Sequence, residues 1–95
     1  MIFEWDVDKA KINLVRHGVS FEEAQMAFND LAAVDALDEA HSEGELRYKL
    51  IGLAARGLLF VVYTEPESNV IRLISARKAT KFEEDIYVAS FQIRH

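Results

Sequence analysis

The stretch Leu58-Leu59-Phe60-Val61-Val62-Tyr63 constrains the fold more than any other part of this 95-residue chain, because it is apolar on both of its alternating sets. Such a strand needs cover on both faces and belongs in the middle of a sheet. Three further apolar runs accompany it: Ala32 to Leu37, Leu46 to Leu53 and Val70 to Ala76. Turn-rich intervals separate them: Asp38 to Gly44, Ala54 to Gly57, and Glu65 to Asn69 with the sole proline, Pro66. Each interval suits a hairpin better than a crossover helix. The pattern predicts a four-stranded antiparallel meander.

Helical signals flank the strands. Val7, Ala10 and Leu14 recur at helical spacing as far as His17-Gly18, where glycine supplies the left-handed residue that ends a helix. Ser20 and Glu23 form a capping box, Val19 and Ala24 sit where a hydrophobic staple would, and Phe21, Ala24, Phe28 and Leu31 make one stripe. Thr80 and Glu83 form a second capping box ahead of Phe82, Ile86, Ala89 and Ile93, a stripe expected to press a C-terminal helix onto the sheet. In the tail from Val88 to His95, Val88, Phe91 and Ile93 either lengthen that helix or meet a partner. Ile2 to Trp5 reads as a short strand or a lead-in. The expected class is α+β in one domain over residues 1–95: two N-terminal helices, the meander, then one helix. The helices should gather mainly on one side of the sheet and leave the other face partly open.

Composition narrows the function classes. Half of the residues are apolar (51%) and 28% are charged, as in ordinary globular domains. The absence of cysteine excludes a disulfide framework, a thiolate metal site and a cysteine nucleophile. With no basic leader and no apolar run near the ~20 residues of a membrane span, a cytoplasmic protein with no membrane partner is expected. A net charge of −5 taken alone argues against a nucleic-acid binder. Its distribution argues otherwise. Residues 1–45 hold eleven Asp and Glu against Lys9, Lys11 and Arg16, whereas residues 46–81 hold seven Lys and Arg against Glu65 and Glu67. Local charges set the field within a Debye length of roughly 8 Å, so a basic half can attract phosphate on an acidic protein.

Arg47 and Lys49 share one face of a strand, where two cations repel unless both are solvated or an anion lies across them. Arg72 and Arg77 bracket another strand, and their odd separation puts them on opposite faces of a regular strand unless Arg77 already lies in the turn. Arg77 and Lys78 precede a helix N-terminus, whose dipole repels cations but whose free N–H groups accept phosphate. Arg47, Lys49, Arg77 and Lys78 are therefore a candidate phosphate surface, with a plain solvated face as the alternative. His41, among the acids from Asp38 to Glu45, is a candidate proton carrier. Asp38, Glu43 and Glu45 match no defined metal loop. Tyr63 and Tyr87 are able to stack on a base, although each also fits an apolar pattern. There is no Gly-rich phosphate loop, no Gly-x-Ser-x-Gly elbow and no His-Glu-x-x-His, so neither a cofactor nor a metal is expected.

Several strings taken together resemble a known family. They are Phe3-Glu4-Trp5-Asp6 with Lys9 and Asn13; His17-Gly18-Val19-Ser20-Phe21-Glu22-Glu23-Ala24; Ser42-Glu43-Gly44-Glu45 with Arg47; Ile51-Gly52; Val61-Val62-Tyr63-Thr64-Glu65; and Ile71-Arg72 leading to Ile74-Ser75-Ala76-Arg77-Lys78-Ala79. In this order and spacing they resemble the BrnT family of type II toxins, within the RelE/ParE-like superfamily, from Ile2 to about Tyr87. The resemblance implies a RelE-like fold and a ribonuclease that blocks translation, held inactive by a BrnA-like antitoxin. Contact with DNA is then indirect, through the antitoxin. It also implies metal-independent cleavage, in which the 2′-hydroxyl attacks the adjacent phosphorus and leaves a 2′,3′-cyclic phosphate. Arginine stays protonated and is a poor base, which assigns Arg72 and Arg77 to stabilising the phosphate. Arg47, Lys49, Lys78 and Tyr63 become RNA contacts. The base is open among Glu45, Glu65, His41 and Tyr63, with Glu65 and His41 preferred. One departure is Pro66, where many members have Arg after the Tyr-Thr-Glu string; it removes a cation and stiffens the loop. ParE-like relatives poison gyrase, so a non-nucleolytic toxin, or a module that only binds its antitoxin, stands as the alternative.

Overall fold

A computed structural model describes residues 1–94, apart from the side chains of Phe91, Ile93 and Arg94. The packing or partner roles expected of Phe91 and Ile93 lie outside the described residues. The chain runs β1 (Ile2–Glu4), α1 (Val7–His17), α2 (Phe21–Ala27), β2 (Val34–Leu37), a one-turn 3₁₀ helix (Glu39–His41), β3 (Arg47–Ala54), β4 (Gly57–Glu67), β5 (Val70–Lys78) and α3 (Lys81–Arg94). Among the described residues no helix is long and apolar enough to cross a membrane.

The helix boundaries follow from their caps. Asp6 accepts the Lys9 amide at the start of α1, and Gly18, at φ 70°, ends that helix by donating its N–H to the Leu14 carbonyl. The Ser20 hydroxyl accepts the Glu23 amide at 3.0 Å to open α2. Before α3 the capping box is reciprocal: Glu83 donates its amide to the Thr80 hydroxyl, and Thr80 donates its amide to the Glu83 carboxylate. The stripe predicted on α2 stops short of Leu31, which lies past the helix end and is fully exposed.

The sheet has five strands in the order β1-β5-β4-β3-β2. The four expected strands form the antiparallel meander with β4 inside it. Two expectations are corrected. Ile2–Glu4 is a fifth strand, parallel to β5, which makes the sheet mixed. The three helices do not gather on one side either. α1 and α2 cover one face, whereas Phe82, Glu83 and Ile86 of α3 stand over Ile51 and Phe60 on the other. Phe82 remains largely exposed, so that stripe presses only partly onto the sheet.

The core lies under α1 and α2. Phe21, Leu59, Val61 and Leu73 are essentially fully buried there, and each large apolar side chain contributes about 1.5–3 kcal/mol. Buried Asn13 joins three parts of the chain. Its side-chain amide donates to the Val19 carbonyl (2.9 Å) and the Ala76 carbonyl (2.8 Å), and its oxygen accepts the Ala76 amide (3.1 Å). Gly52 lets α2 sit directly on β3, since a Cβ there would lie 2.5 Å from the Ala27 carbonyl oxygen.

A register shift between Val62 and Tyr63 matters most for the open face. Val62 pairs with Ser75 but Tyr63 pairs with Leu73, so β5 carries one extra residue there. Arg72 thus opposes Thr64 and Arg77 opposes Phe60, two positions on the same face of β4. The odd spacing that would separate these arginines on a regular strand leaves them side by side on this one.

Candidate functional site

Directly paired residues of neighbouring strands share a face, so the register builds a row across the open side of the sheet. Arg47 on β3 opposes Thr64 on β4, which opposes Arg72 on β5. The Cβ atoms of the two arginines are then two strand spacings apart, roughly 10 Å, with Thr64 between them. This row floors a cleft of about 550 Å³ whose walls include Lys9 from α1 and His41 and Glu45 from the loop before β3.

The loop is shaped by its own hydrogen bonds. The Ser42 hydroxyl donates to the Asp38 carbonyl (2.6 Å) and accepts the Arg47 amide (2.9 Å), folding the segment back over the start of β3. His41 is thereby held at the cleft, its Nδ1 3.0 Å from the Asp38 carboxylate. A carboxylate partner requires the proton on Nδ1, which leaves Nε2 of the neutral ring free to accept another. Arg72 is oriented from the opposite side: its Nε lies 2.7 Å and its Nη2 2.6 Å from one oxygen of Glu4. The parallel register of β1 sets Glu4 beside it.

The other expected site residues fall elsewhere. Lys49 opposes Val62 on the same face, but lines a separate, largely apolar cleft of about 340 Å³ beside Phe82 and Ile86. Arg77 shares the face yet lies four β4 residues from Arg72, about 13 Å along the strand. Its guanidinium makes a two-pronged pair with Glu83, both contacts at 2.8 Å, and its central carbon sits 4.3 Å above the Phe60 ring. The pair with Arg77, helped by the Thr80 amide, holds the Glu83 carboxyl below the usual carboxylate range. Arg77 anchors α3 and does not line the cleft of Arg47 and Arg72.

Lys78 opposes Leu59 and so projects on the helix-covered face. There the Glu23 carboxyl is held below its usual range, chiefly by the Arg56 hydrogen bond and to a smaller degree by the charge of Lys78. Tyr63 is corrected from an RNA contact to a core residue. It is buried, stacks on Tyr48 with ring centroids 5.5 Å apart, and directs its hydroxyl to Asp35 at 3.2 Å. Burial, reinforced by Asp35, pushes its hydroxyl pKa up beyond the ordinary phenol range, which excludes it as a base at neutral pH. Glu65 accepts the Asn69 amide within the β4–β5 hairpin and borders a shallow recess with Pro66, outside the main cleft. Among the described residues no three His, Asp or Glu side chains form a metal-holding group, and the cluster of Asp38, Glu43 and Glu45 is no exception.

Of the predicted residues, Arg47, Arg72, His41 and the base candidate Glu45 come together, while Arg77, Lys49, Glu65, Lys78 and Tyr63 do not join them. Lys9, Thr64 and Glu4 complete the surroundings. Lys9 and Glu4 stand in the strings that carry the family resemblance, but their place beside Arg72 depends on the parallel pairing of β1.

A mixed five-stranded sheet, with two helices behind it and two arginines flanking a threonine across its open face, defines a small α+β protein with a cationic cleft. Residues 5–83 match the family described as "Ribonuclease toxin, BrnT, of type II toxin-antitoxin system". The chain belongs to the BrnT family of ribonuclease toxins. Its fold is similar to that of the Brucella abortus ribonuclease toxin BrnT, solved at 1.1 Å, with a TM-score of 0.64 and 21% identity over 85% of this chain and 100% of that one. No curated protein matches the sequence.

Proposed function

We propose that this toxin cleaves RNA without a metal, through attack of a 2′-hydroxyl on the adjacent phosphorus, in the cleft between Arg47 and Arg72. The reading rests on one observation above all: two arginines from distant parts of the chain flank Thr64 on an open sheet face, with His41 at the rim of the same cleft. The guanidinium groups receive the charge that builds on the phosphate oxygens. His41 takes the 2′-hydroxyl proton on Nε2, and Asp38 holds its ring and stabilises the imidazolium that forms. Lys9 is the donor available to the leaving 5′ oxygen. The products are a 2′,3′-cyclic phosphate and a free 5′-hydroxyl. A BrnA-like antitoxin neutralises the toxin, and DNA is met only through that complex.

Purified protein incubated with end-labelled RNA in EDTA tests the reading. Cleavage that yields 2′,3′-cyclic phosphate ends, and that disappears in Arg72→Ala, is the expected result. Intact RNA under these conditions overturns it, and growth arrest with DNA damage on expression favours a gyrase-directed toxin on the same fold.

A further inference from the structure

We propose that the Thr64 hydroxyl contacts the substrate, donating a hydrogen bond to a non-bridging oxygen of the phosphodiester held between Arg47 and Arg72. The proposal rests on the ribonuclease reading of this cleft and adds a residue to it. Thr64 is 2% exposed, and its Oγ1 is, among the described residues, the one buried side-chain polar atom without a hydrogen-bond partner. Buried hydroxyls elsewhere in folded proteins are almost always paired, and leaving one unpaired is costly. Valine fills the same shape in a strand and carries no polar atom, so folding alone gives no reason for a hydroxyl here. The Oγ1 belongs to a residue that borders the cleft and lies between its two arginines.

The chemistry of the neighbours selects an anion. Arg47 and Arg72 carry permanent charge and have side chains long enough to converge on one tetrahedral group above Thr64. Arg72 is half exposed, so its guanidinium is free to swing from Glu4 toward an incoming phosphate. A hydroxyl donating to a charged oxygen makes one of the stronger hydrogen bonds available to a side chain.

The test compares wild type, Thr64→Val and Thr64→Ser. Amide shifts are followed by NMR on addition of inorganic phosphate, and single-turnover cleavage is followed on RNA. The expected result is that phosphate moves the amides of Arg47, Thr64 and Arg72 in the wild type. Thr64→Val then weakens phosphate affinity and slows cleavage, each by about tenfold or more, with no loss of thermal stability, and Thr64→Ser recovers most of both. Wild-type phosphate affinity in Thr64→Val, or no shift at these amides in the wild type, overturns the proposal. Weakened phosphate binding in Thr64→Val, together with a wild type that never cleaves RNA, would leave the Thr64 contact standing and remove the ribonuclease reading. Undiminished cleavage in Thr64→Val would do the reverse.

Discussion

Arg72 and Arg77 stand on the same face of β5 although five positions separate them, because one extra residue in the strand shifts the alternation between them. Their surroundings differ. Arg72 reaches into the cleft from an exposed pair with Glu4, and Arg77 is bound to the first turn of α3.

The two arginines should therefore fail in different ways. Arg72→Ala is expected to lower single-turnover RNA cleavage by about a hundredfold with little change in melting temperature. Arg77→Ala should destabilise the protein by about 1–2 kcal/mol, read by urea unfolding, because it loses the Glu83 pair and the contact with Phe60. Its cleavage per folded molecule should stay within a few-fold of the wild type.

In the proposed mechanism, Glu4 competes with the substrate for Arg72. Glu4→Gln is expected to tighten RNA binding about two- to fivefold at low salt, measured by fluorescence anisotropy, with the gain shrinking as salt is added. Unchanged affinity at every salt concentration would show that the Arg72 charge is equally available with and without the carboxylate.

Asn13 ties α1 to the α1–α2 connection and to β5 through three hydrogen bonds. Asn13→Ala strands two carbonyls and one amide in the interior and should cost about 2–4 kcal/mol in urea unfolding. Asn13→Asp should cost more at neutral pH, because it points a carboxylate at the carbonyl oxygens of Val19 and Ala76. Its penalty should ease as the pH is lowered and the carboxyl protonates.

Acid should loosen the molecule through Glu23 and Glu83, whose carboxyls are held below the ordinary range by Arg56 and Arg77. A carboxyl with a lowered folded pKa contributes stability that is fully present above its ordinary pKa near 4.5 and is lost as the pH falls through the lowered value. The melting temperature is thus expected to fall between pH 5 and pH 3. Glu83→Gln should melt lower than the wild type at pH 7 and show a shallower fall over that interval, followed by circular dichroism.

Much of the scaffold was legible because its signals are local. The capping boxes at Ser20 and Thr80 start helices where the sequence places them, and the turn-rich intervals separate the strands of the meander. The strand β1 was ambiguous, since three residues carry little periodicity and their partner lies almost seventy positions away. The extra residue in β5 has no glycine or proline to mark it within Leu73-Ile74-Ser75, so alternation alone misplaced Arg77 relative to Arg72. Tyr63 sits in a run that is apolar on both faces, where alternation cannot say which side chain points to the core. Thr64 escaped notice because its significance lies in its two cross-strand neighbours, and neither is near it in the sequence.

The strand that carries Glu4 is three residues long and bonded along one side only. The carboxylate that occupies Arg72 therefore rides on a short edge of the sheet. Fraying at that margin would lift a guard from the cleft and raise the electric field over its floor without any change in the strands that carry Arg47 and Thr64.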